Sequence, residues 1–310
     1  MGIVVIGATF VDIKGFPNDT YIPDGRNAGR VEYIHGGVAR NVVEDIANME
    51  LRPTFLGIVD DTPMGADVVH KLQNHKVNTE YIQVQPDGMG TWLAVFDSDG
   101  NVAGSISKRP NLLPILTMLE EKGDEIFSQA DSVVLEVDID KATVKKVFEL
   151  AEKYSVKTYA VVSNMSIAIE RRDFFQKFDC FICNEQEAGM LFLDDYSEKT
   201  PEELRDILSE KVQRAKIPAM VVTMGGKGAV YADLQGNKGI CPAKKVQVKD
   251  TTGAGDAFCA GVSAGLTYGK TLPEAIEIGS TLAASVIVSL DNVCPRFQPE
   301  ELGLDVVTEE

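Results

Sequence analysis

"VKDTTGAGDAF", residues Val248 to Phe258, sets two threonines beside a Gly-Ala-Gly, then an aspartate, then small and apolar residues at helical spacing. Gly253 and Gly255 can both take positive φ without a Cβ clash, so the chain can turn sharply here. A helix opening at this turn leaves its first amides without internal partners, and its dipole adds partial positive charge at the same end. Together these make a site for phosphate. Asp256, in the first helical turn, either complements the dipole or works beside a bound anion. The stretch alone leaves both readings open.

The residues before it, "KKVQVKD" (244–250), read as a strand, so the turn joins a strand to a helix. The same alternation runs through the chain. "IVVIG" (3–7) is a buried first strand, "GGVARNVVEDIANM" (36–49) a helix, "PTFLGIVD" a strand and "PMGADVVHKLQNH" a helix. In the second half, "SVVLEVDI", "VKTYAVV" and "DCFICN" read as strands. "KATVKKVFELAEKY", "IAIERRDFFQKF", "EQEAGMLF" and "TPEELRDILSEKVQRA" read as helices. Two long helices rich in small residues close the chain, and Glu309-Glu310 reads as a loose end. Strands alternating with helices predict an α/β fold: one domain over 1–310, with a mostly parallel central sheet and helices on both faces. Two polar, turn-rich pieces break the pattern, about 13–34 and 80–107. They predict a small β-sheet lid over the crevice at the carboxyl ends of the parallel strands, where open α/β sheets bind ligands.

The composition fits such a fold. Of 310 residues, 44% are hydrophobic and 25% charged, enough for a sizeable core. Lys and Arg total 30 against 47 Asp and Glu, a net charge of −17. That balance argues against binding nucleic acid or an anionic membrane through a general basic surface. An anionic ligand would need a local site of backbone amides, a few basic side chains or a metal. The N-terminal apolar run is too short for a signal peptide or a membrane span, and no later run is long enough. Five cysteines form no dense framework, so free thiols in a reducing, cytoplasmic setting are expected.

Several signals have ordinary explanations. "AGLTYGKT" (264–271) has three residues, not four, between its glycines and follows a helix, so it reads as a helix cap rather than a phosphate loop. Cys180 and Cys183 lie three apart in a strand, so their sulfurs point to opposite faces. His70 and His75 read as solvated, whereas His35 either flanks a pocket or ends a strand. No GxGxxG follows the first strand.

Four companions give Asp256 a context: Asp12 after the first strand, Gly36-Gly37 leading to Asn41, Asn184 and Glu187 three apart, and the glycine-rich turn "TMGGKG" (223–228). Each alone is as well explained by a loop, a cap or a β-turn. Jointly, with the opening stretch, they are expected to meet in one crevice.

In this order the elements resemble the ribokinase-like, or PfkB, family of carbohydrate and nucleoside kinases, over nearly the whole chain. Asp250-Thr-Thr-Gly-Ala-Gly-Asp256 is similar to the family's C-terminal signature and Gly36-Gly37…Asn41 to its N-terminal one. Asn184-x-x-Glu187 is similar to its Asn-x-x-Glu motif and Thr223-x-Gly225-x-x-Gly228 to its nucleotide-proximal turn. The resemblance implies that Asp256 is the base for the attacking hydroxyl, with the amides of Gly253, Ala254 and Gly255 as the anion hole. It implies that Asn184 and Glu187 position Mg2+ largely through water, and that Thr223, Gly225 and Gly228 border ATP. Asp12, Gly37, Asn41 and Glu136 would hold the acceptor, and Asp250 and Thr252 sit where many members bind a monovalent cation such as K+. The expected acceptor is a nucleoside or sugar, with the lid strands offering edges for a homodimer. Val38, Ala39 and Arg40 resemble pseudouridine kinases, which makes pseudouridine the first expectation. Free-sugar kinase activity and a non-catalytic sensor are the alternatives. "SKRPNLLP" (107–114), "LEVDID" (135–140) and "VVSNMS" (161–166) depart from that subfamily.

Overall fold

Four consecutive apolar residues form the first strand, β1 (Ile3–Ile6), and all four are buried. A strand in a sheet with one wet face would alternate apolar and polar, so a continuous run needs cover on both sides. The computed structural model describes residues 2–305, which leaves Glu309 and Glu310 outside, and it supplies that cover. Val4 and Ile6 pack into one apolar core, and Ile3 and Val5 into a second core across the sheet.

The remaining strands are β2 (Phe10–Pro17), β3 (Gly29–Gly36), β4 (Thr54–Val59), β5 (Ile82–Val84), β6 (Gly90–Phe96) and β7 (Val102–Lys108), then β8 (Ser132–Glu136), β9 (Lys157–Val161), β10 (Cys180–Asn184), β11 (Ala219–Thr223), β12 (Ala229–Asp233) and β13 (Lys238–Cys241). Nine of them form one sheet in the order β13-β12-β11-β10-β9-β8-β1-β4-β5. It is parallel from β11 through β5, with an antiparallel β11-β12-β13 edge. One core takes in α3 (Leu113–Phe127), α4 (Lys141–Tyr154), α5 (Met165–Ala168), α6 (Glu185–Phe192) and α7 (Pro201–Ala215). The other takes in α1 (Val38–Asn48), α2 (Pro63–Asn74), α8 (Ala254–Thr267) and α9 (Leu272–Ile287). The order reverses at β1, which lies between β8 and β4, and a crevice opens at such a switch point.

The other four strands make a separate sheet in the order β3-β2-β6-β7. Asp12 of β2 pairs with Trp92 of β6, which pairs with Ser107 of β7. Side chains on a strand alternate between faces. Asp12, Trp92 and Ser107 face the cleft. Exposed Tyr33, Leu93 and Ile106 stand in neighbouring register positions on the outward face.

Some local expectations are corrected. Ile82–Val84, placed by sequence in the lid, pairs with β4 at the edge of the large sheet. Residues 244–250 form no strand; near their end the Lys249 amide donates to the Ile287 carbonyl at the close of α9, at 2.7 Å. The span 165–177 begins as one turn of α-helix and continues as a 3-10 helix, Ile169–Lys177. Cys180 and Cys183 do diverge to opposite cores, and all five cysteines are free and buried. Gly269 takes φ +76° just after α8, as a cap. Among the described residues no helix is long and apolar enough to cross a membrane.

The closing helices α8 and α9 pack through small residues. A Cβ added at Gly261 would lie 2.7 Å from the Gly279 Cα, and one at Gly265 would lie 2.8 Å from Ala275. Gly261→Leu should force these backbones apart and destabilise the fold by about 1–3 kcal/mol, the usual range for overpacking. Thermal unfolding of the variant checks this, and an unchanged midpoint would show that the seam is looser than its geometry.

Candidate active site

The site is assembled by two glycine turns and a short chain of amide contacts. Gly36-Gly37 carries β3 into α1, with Gly37 at φ +97°. A Cβ at Gly36 would stand 2.7 Å from Asp12 Oδ1, so the missing side chain lets the Asp12 carboxylate lie against this turn. Asn41, one turn into α1, donates from Nδ2 to Asp256 Oδ2 at 2.6 Å. Asp256 is the third residue of α8, whose N-cap Gly253 has φ +81°. A Cβ at Gly253 would meet the Asn292 carbonyl oxygen at 2.0 Å. Asn292 in turn donates to His35 O at 2.8 Å and to Asn41 Oδ1 at 3.3 Å. Only Gly253 of the two glycines uses positive φ; Gly255 is helical, and open space lies where its Cβ would be. The Ala254 amide closes a turn onto Thr251 O at 3.2 Å, while the next amides of the first turn have no carbonyl one turn back within the helix.

Charge around Asp256 is held by a buried arginine. Arg40 has no exposed surface; its guanidinium donates to Glu44, to Asn41 Oδ1 and to the carbonyls of His35 and Gly36. Glu44 also meets Lys71 at 3.0 Å. Burial pushes Glu44 up, but Arg40 and Lys71 outweigh it and hold the carboxyl below its usual range. Asp256 faces the cleft yet is densely surrounded by protein. Burial lifts its pKa to about 6, the Asn41 bond and Arg40 charge pull it down, and Asp12 pushes it up. Burial also raises Asp12. His35 ends its strand and pairs with Asp67 at 3.0 Å. His75, expected to be solvated, instead meets Asn48 Oδ1 at 2.5 Å because α1 passes beside the end of α2, while His70 is exposed.

Between the lid and the strand ends lies a cleft of about 420 Å3, within the size range of small-molecule sites. Asp12, Gly37, Asn41, Thr252, Gly253 and Asp256 line it. So do Phe10, Trp92, Ser107, Arg109, Ser163 and Asn164. Trp92 is the register partner of Asp12, whereas Ser107 is two strands across from it, roughly 10 Å away. Glu136 is fully buried, accepts the Ala8 N–H at 2.9 Å and is not among the lining residues.

Asn184 and Glu187 form a reciprocal capping box at the start of α6, with bonds of 2.8 and 2.9 Å. Asn184 pairs in register with Thr223, so the end of β11 and its glycine turn lie beside it. Gly225 and Gly228 take φ +54° and +101°, and a side chain at Gly225 or Gly226 would meet nothing within 4 Å, which leaves the turn open to a ligand. Burial raises Glu187, and the charges of Asp138 and Asp256 raise it further. Both neighbouring charges are felt at Glu187, an electrostatic setting that a cation would relieve. Among the described residues no three His, Cys, Asp or Glu side chains gather as a ready-made metal cage. Asn184 and Glu187 offer one amide oxygen and one carboxylate, a sparse oxygen set that would fit Mg2+ only with several of its waters kept. Asp250 Oδ1 accepts both the amide and the hydroxyl of Thr252, at 2.9 and 2.8 Å, closing the turn before Gly253. A larger recess, about 790 Å3, lies beside α6 among Glu185, Met190, Leu193 and Tyr196, and includes neither Asn184 nor Glu187.

Sequence reasoning did not assign Trp92, Arg109, Asp138 or Asn292. One signal was present: Arg109, Asp138 and Ser163 come from the three stretches that depart from the pseudouridine-kinase pattern, and here they touch. Arg109 Nη2 donates to Asp138 Oδ2 at 3.0 Å, and Asp138 Oδ1 accepts the Ser163 N–H at 3.0 Å.

Residues 2–291 match the family described as pfkB family carbohydrate kinase. The chain is 33% identical over 292 residues to a guanosine-inosine kinase of Exiguobacterium acetylicum, covering 94% of this chain and 95% of that one. It is 22% identical to a pseudouridine kinase of Escherichia coli, covering 89% and 87%. A structure of Arabidopsis thaliana ribokinase complexed with ribose and ATP superimposes with a TM-score of 0.81 at 20% identity, covering 97% of both chains. The fold is ribokinase-like, and the chain belongs to the pfkB family of carbohydrate kinases, a phosphotransferase acting on an alcohol group.

Proposed function

We propose that this chain is an ATP- and Mg2+-dependent nucleoside kinase that phosphorylates the primary hydroxyl of a purine nucleoside of the guanosine or inosine type. The observation that carries this reading is the Asn41–Asp256 bond, which sets a carboxylate at the opening of α8 on the wall of the cleft beneath the lid. The 33% identity to a guanosine-inosine kinase, against 22% for a pseudouridine kinase, moves the first acceptor from pseudouridine to a purine nucleoside. The cleft also holds aromatic side chains, Phe10 and Trp92, on which a base can lie.

In this reading Asp12, Gly37 and Asn41 hold the ribose hydroxyls. Asp256 receives the proton as the hydroxyl oxygen bonds to the γ-phosphorus and the bond to the β,γ-bridging oxygen breaks. The amides of Gly253 and Gly255 face the transferring group, while that of Ala254, also expected there, is taken by the Thr251 carbonyl; the open turn at Thr223, Gly225 and Gly228 borders the nucleotide. Asn184 and Glu187 would hold Mg2+ through water, and the ion would supply charge neutralisation at the phosphate oxygens. Phosphoryl transfer is loose, so positioning and electrostatic stabilisation do most of the work. Glu136 acts from beneath, by bracing the Ala8 amide at the end of β1. The Asp250–Thr252 turn is the proposed seat of a monovalent cation such as K+, and five buried free thiols suit a reducing cytoplasm.

Asp256→Asn should lower turnover roughly 10²–10⁴-fold with a much smaller effect on ATP binding. ADP release with Mg-ATP across guanosine, inosine, adenosine, pseudouridine, ribose and fructose tests both the base and the acceptor. Near-full activity of the variant would remove Asp256 from the role, and turnover of free sugars alone would replace the nucleoside reading with a sugar kinase.

Because a base must be deprotonated to accept the proton, and Asp256 is raised to about 6, kcat/KM should fall as the pH drops below about 6. A profile flat down to pH 4.5, far below that value, would show that Asp256 does not titrate in the free enzyme.

We further propose that the outward face of the lid, with Val31, Tyr33, Leu93 and Ile106 exposed, pairs with a second copy. Ile106→Asp should shift a dimer toward monomer in sedimentation velocity; a wild-type chain that sediments as a monomer at high concentration would remove this partner.

A further inference from the structure

Arg109 follows β7 and lines the cleft two residues beyond Ser107. Among the described residues it is the one cationic side chain on that wall, which also carries the carboxylates of Asp12 and Asp256. Its side chain is 37% exposed, while its partner Asp138 is wholly buried. Nη2 donates to the Asp138 carboxylate at 3.0 Å and to the Asp138 carbonyl at 3.2 Å. Asp138 Oδ1 is itself fixed by the Ser163 amide at 3.0 Å.

That clamp limits what Arg109 can still grip. Nη2 belongs to both edges along which a guanidinium makes two parallel bonds, so a flat pair of acceptors is no longer served. Nη1 and Nε remain, each able to donate singly, alongside a full positive charge. Such a group suits a cluster of anionic oxygens that takes donors one at a time from several directions. A phosphoryl group is such a cluster.

The sheet order places Arg109 toward the metal end of the site. β8, β9 and β10 are neighbours, and at or just past their carboxyl ends stand Asp138, Ser163 and Asn184 in that order. Arg109 is therefore held at the mouth of β8, two strands or roughly 10 Å from the Asn184–Glu187 box. The charge of Asp138 is felt at Glu187, as is that of Asp256. Thr252 and Gly253, where the chain turns into α8, share the cleft wall with Arg109.

We infer that Arg109, held by Asp138, donates to the γ-phosphoryl oxygens of ATP and offsets their charge during transfer; this rests on the ATP-dependent kinase reading above. As the acceptor oxygen bonds to the γ-phosphorus, the bond to the β,γ-bridging oxygen breaks. Negative charge then spreads over the equatorial oxygens and onto the departing ADP. Arg109 gives up no proton; the proton of the hydroxyl goes to Asp256. Because Asp138 already fixes the guanidinium, little reorganisation is needed at the moment of transfer. On a chain with a net charge of −17 such a local cation matters, since the general surface repels a triphosphate.

The test compares Mg-ADP with Mg-AMP-PNP, whose third phosphoryl group stays in place, by calorimetry without an acceptor. Arg109→Met should weaken Mg-AMP-PNP by about 10-fold, the worth of one charge-assisted bond, and leave Mg-ADP within about twofold. Its turnover should fall about 100-fold on guanosine and adenosine alike, as for other lost charge-stabilising donors. Arg109→Lys keeps a point charge and should recover part of both losses. Guanidinium chloride added to Arg109→Ala should restore turnover, which a merely structural role would not allow. An equal loss for the two nucleotides, or none for either, overturns the inference. So does a changed guanosine-to-adenosine ratio at unaltered Mg-AMP-PNP affinity, which would put Arg109 at the base of the acceptor. A wild type that binds neither nucleotide defeats the ATP-dependent reading, and this inference falls with it.

Discussion

An arginine without exposed surface anchors the whole site. Arg40 joins the end of β3 through two carbonyls, the first turn of α1 through Asn41 and the next turn through Glu44. Asn41 then fixes Asp256, and Asn292 closes the circuit back to the His35 carbonyl. Taking such charges out of water costs several kcal/mol each before pairing, and a well-packed apolar core would be as stable or more so. The return is geometric. Three segments distant in sequence are held at hydrogen-bond length around one carboxylate, so Asp256 is placed before any ligand arrives, and preorganisation of this kind is what phosphoryl transfer rewards.

The cleft divides its labour across the lid. Asp12 and Trp92 are register neighbours on adjacent strands, so the polar group proposed to meet the sugar and the aromatic group proposed to meet the base are set by a single strand pairing. A one-residue slip between β2 and β6 would turn one of them to the outward face. The buried Asp138 then gives Arg109 a fixed orientation where an unsupported surface arginine would sample many.

Sequence alone revealed the fold because its patterns are local. Continuous apolar runs such as Ile3–Ile6 read as doubly covered strands, and the alternation with helices implied a parallel sheet. Gly253 and Asp256 were legible for the same reason: a turn and a helix start lie within a few residues. What could not be read was contact between distant segments. Nothing near Arg109 announces Asp138, and His75 looked solvated because its partner Asn48 belongs to another helix. Residues 244–250 read as a strand from their alternation, yet the Lys249 amide goes instead to the Ile287 carbonyl of a distant helix. The Asn184–Glu187 pair was recognised, but spacing could not show that the capping bonds and the neighbouring carboxylates at Asp138 and Asp256 occur together.

The lid sheet is built from two excursions that leave the main sheet at different points, one between β1 and α1 and the other between β5 and α3. Its central pairing, β2 with β6, joins residues about eighty positions apart. Closing a loop of that length carries an entropic cost that only the large sheet can offset, by first bringing the ends of β1 and β5 to one edge. Contacts so far apart in sequence form late and slow the overall rate. The cleft wall also takes in Asp256, 215 positions beyond Asn41, so a nascent chain stays without a complete cleft until α8 as well as the β6–β7 hairpin has left the ribosome.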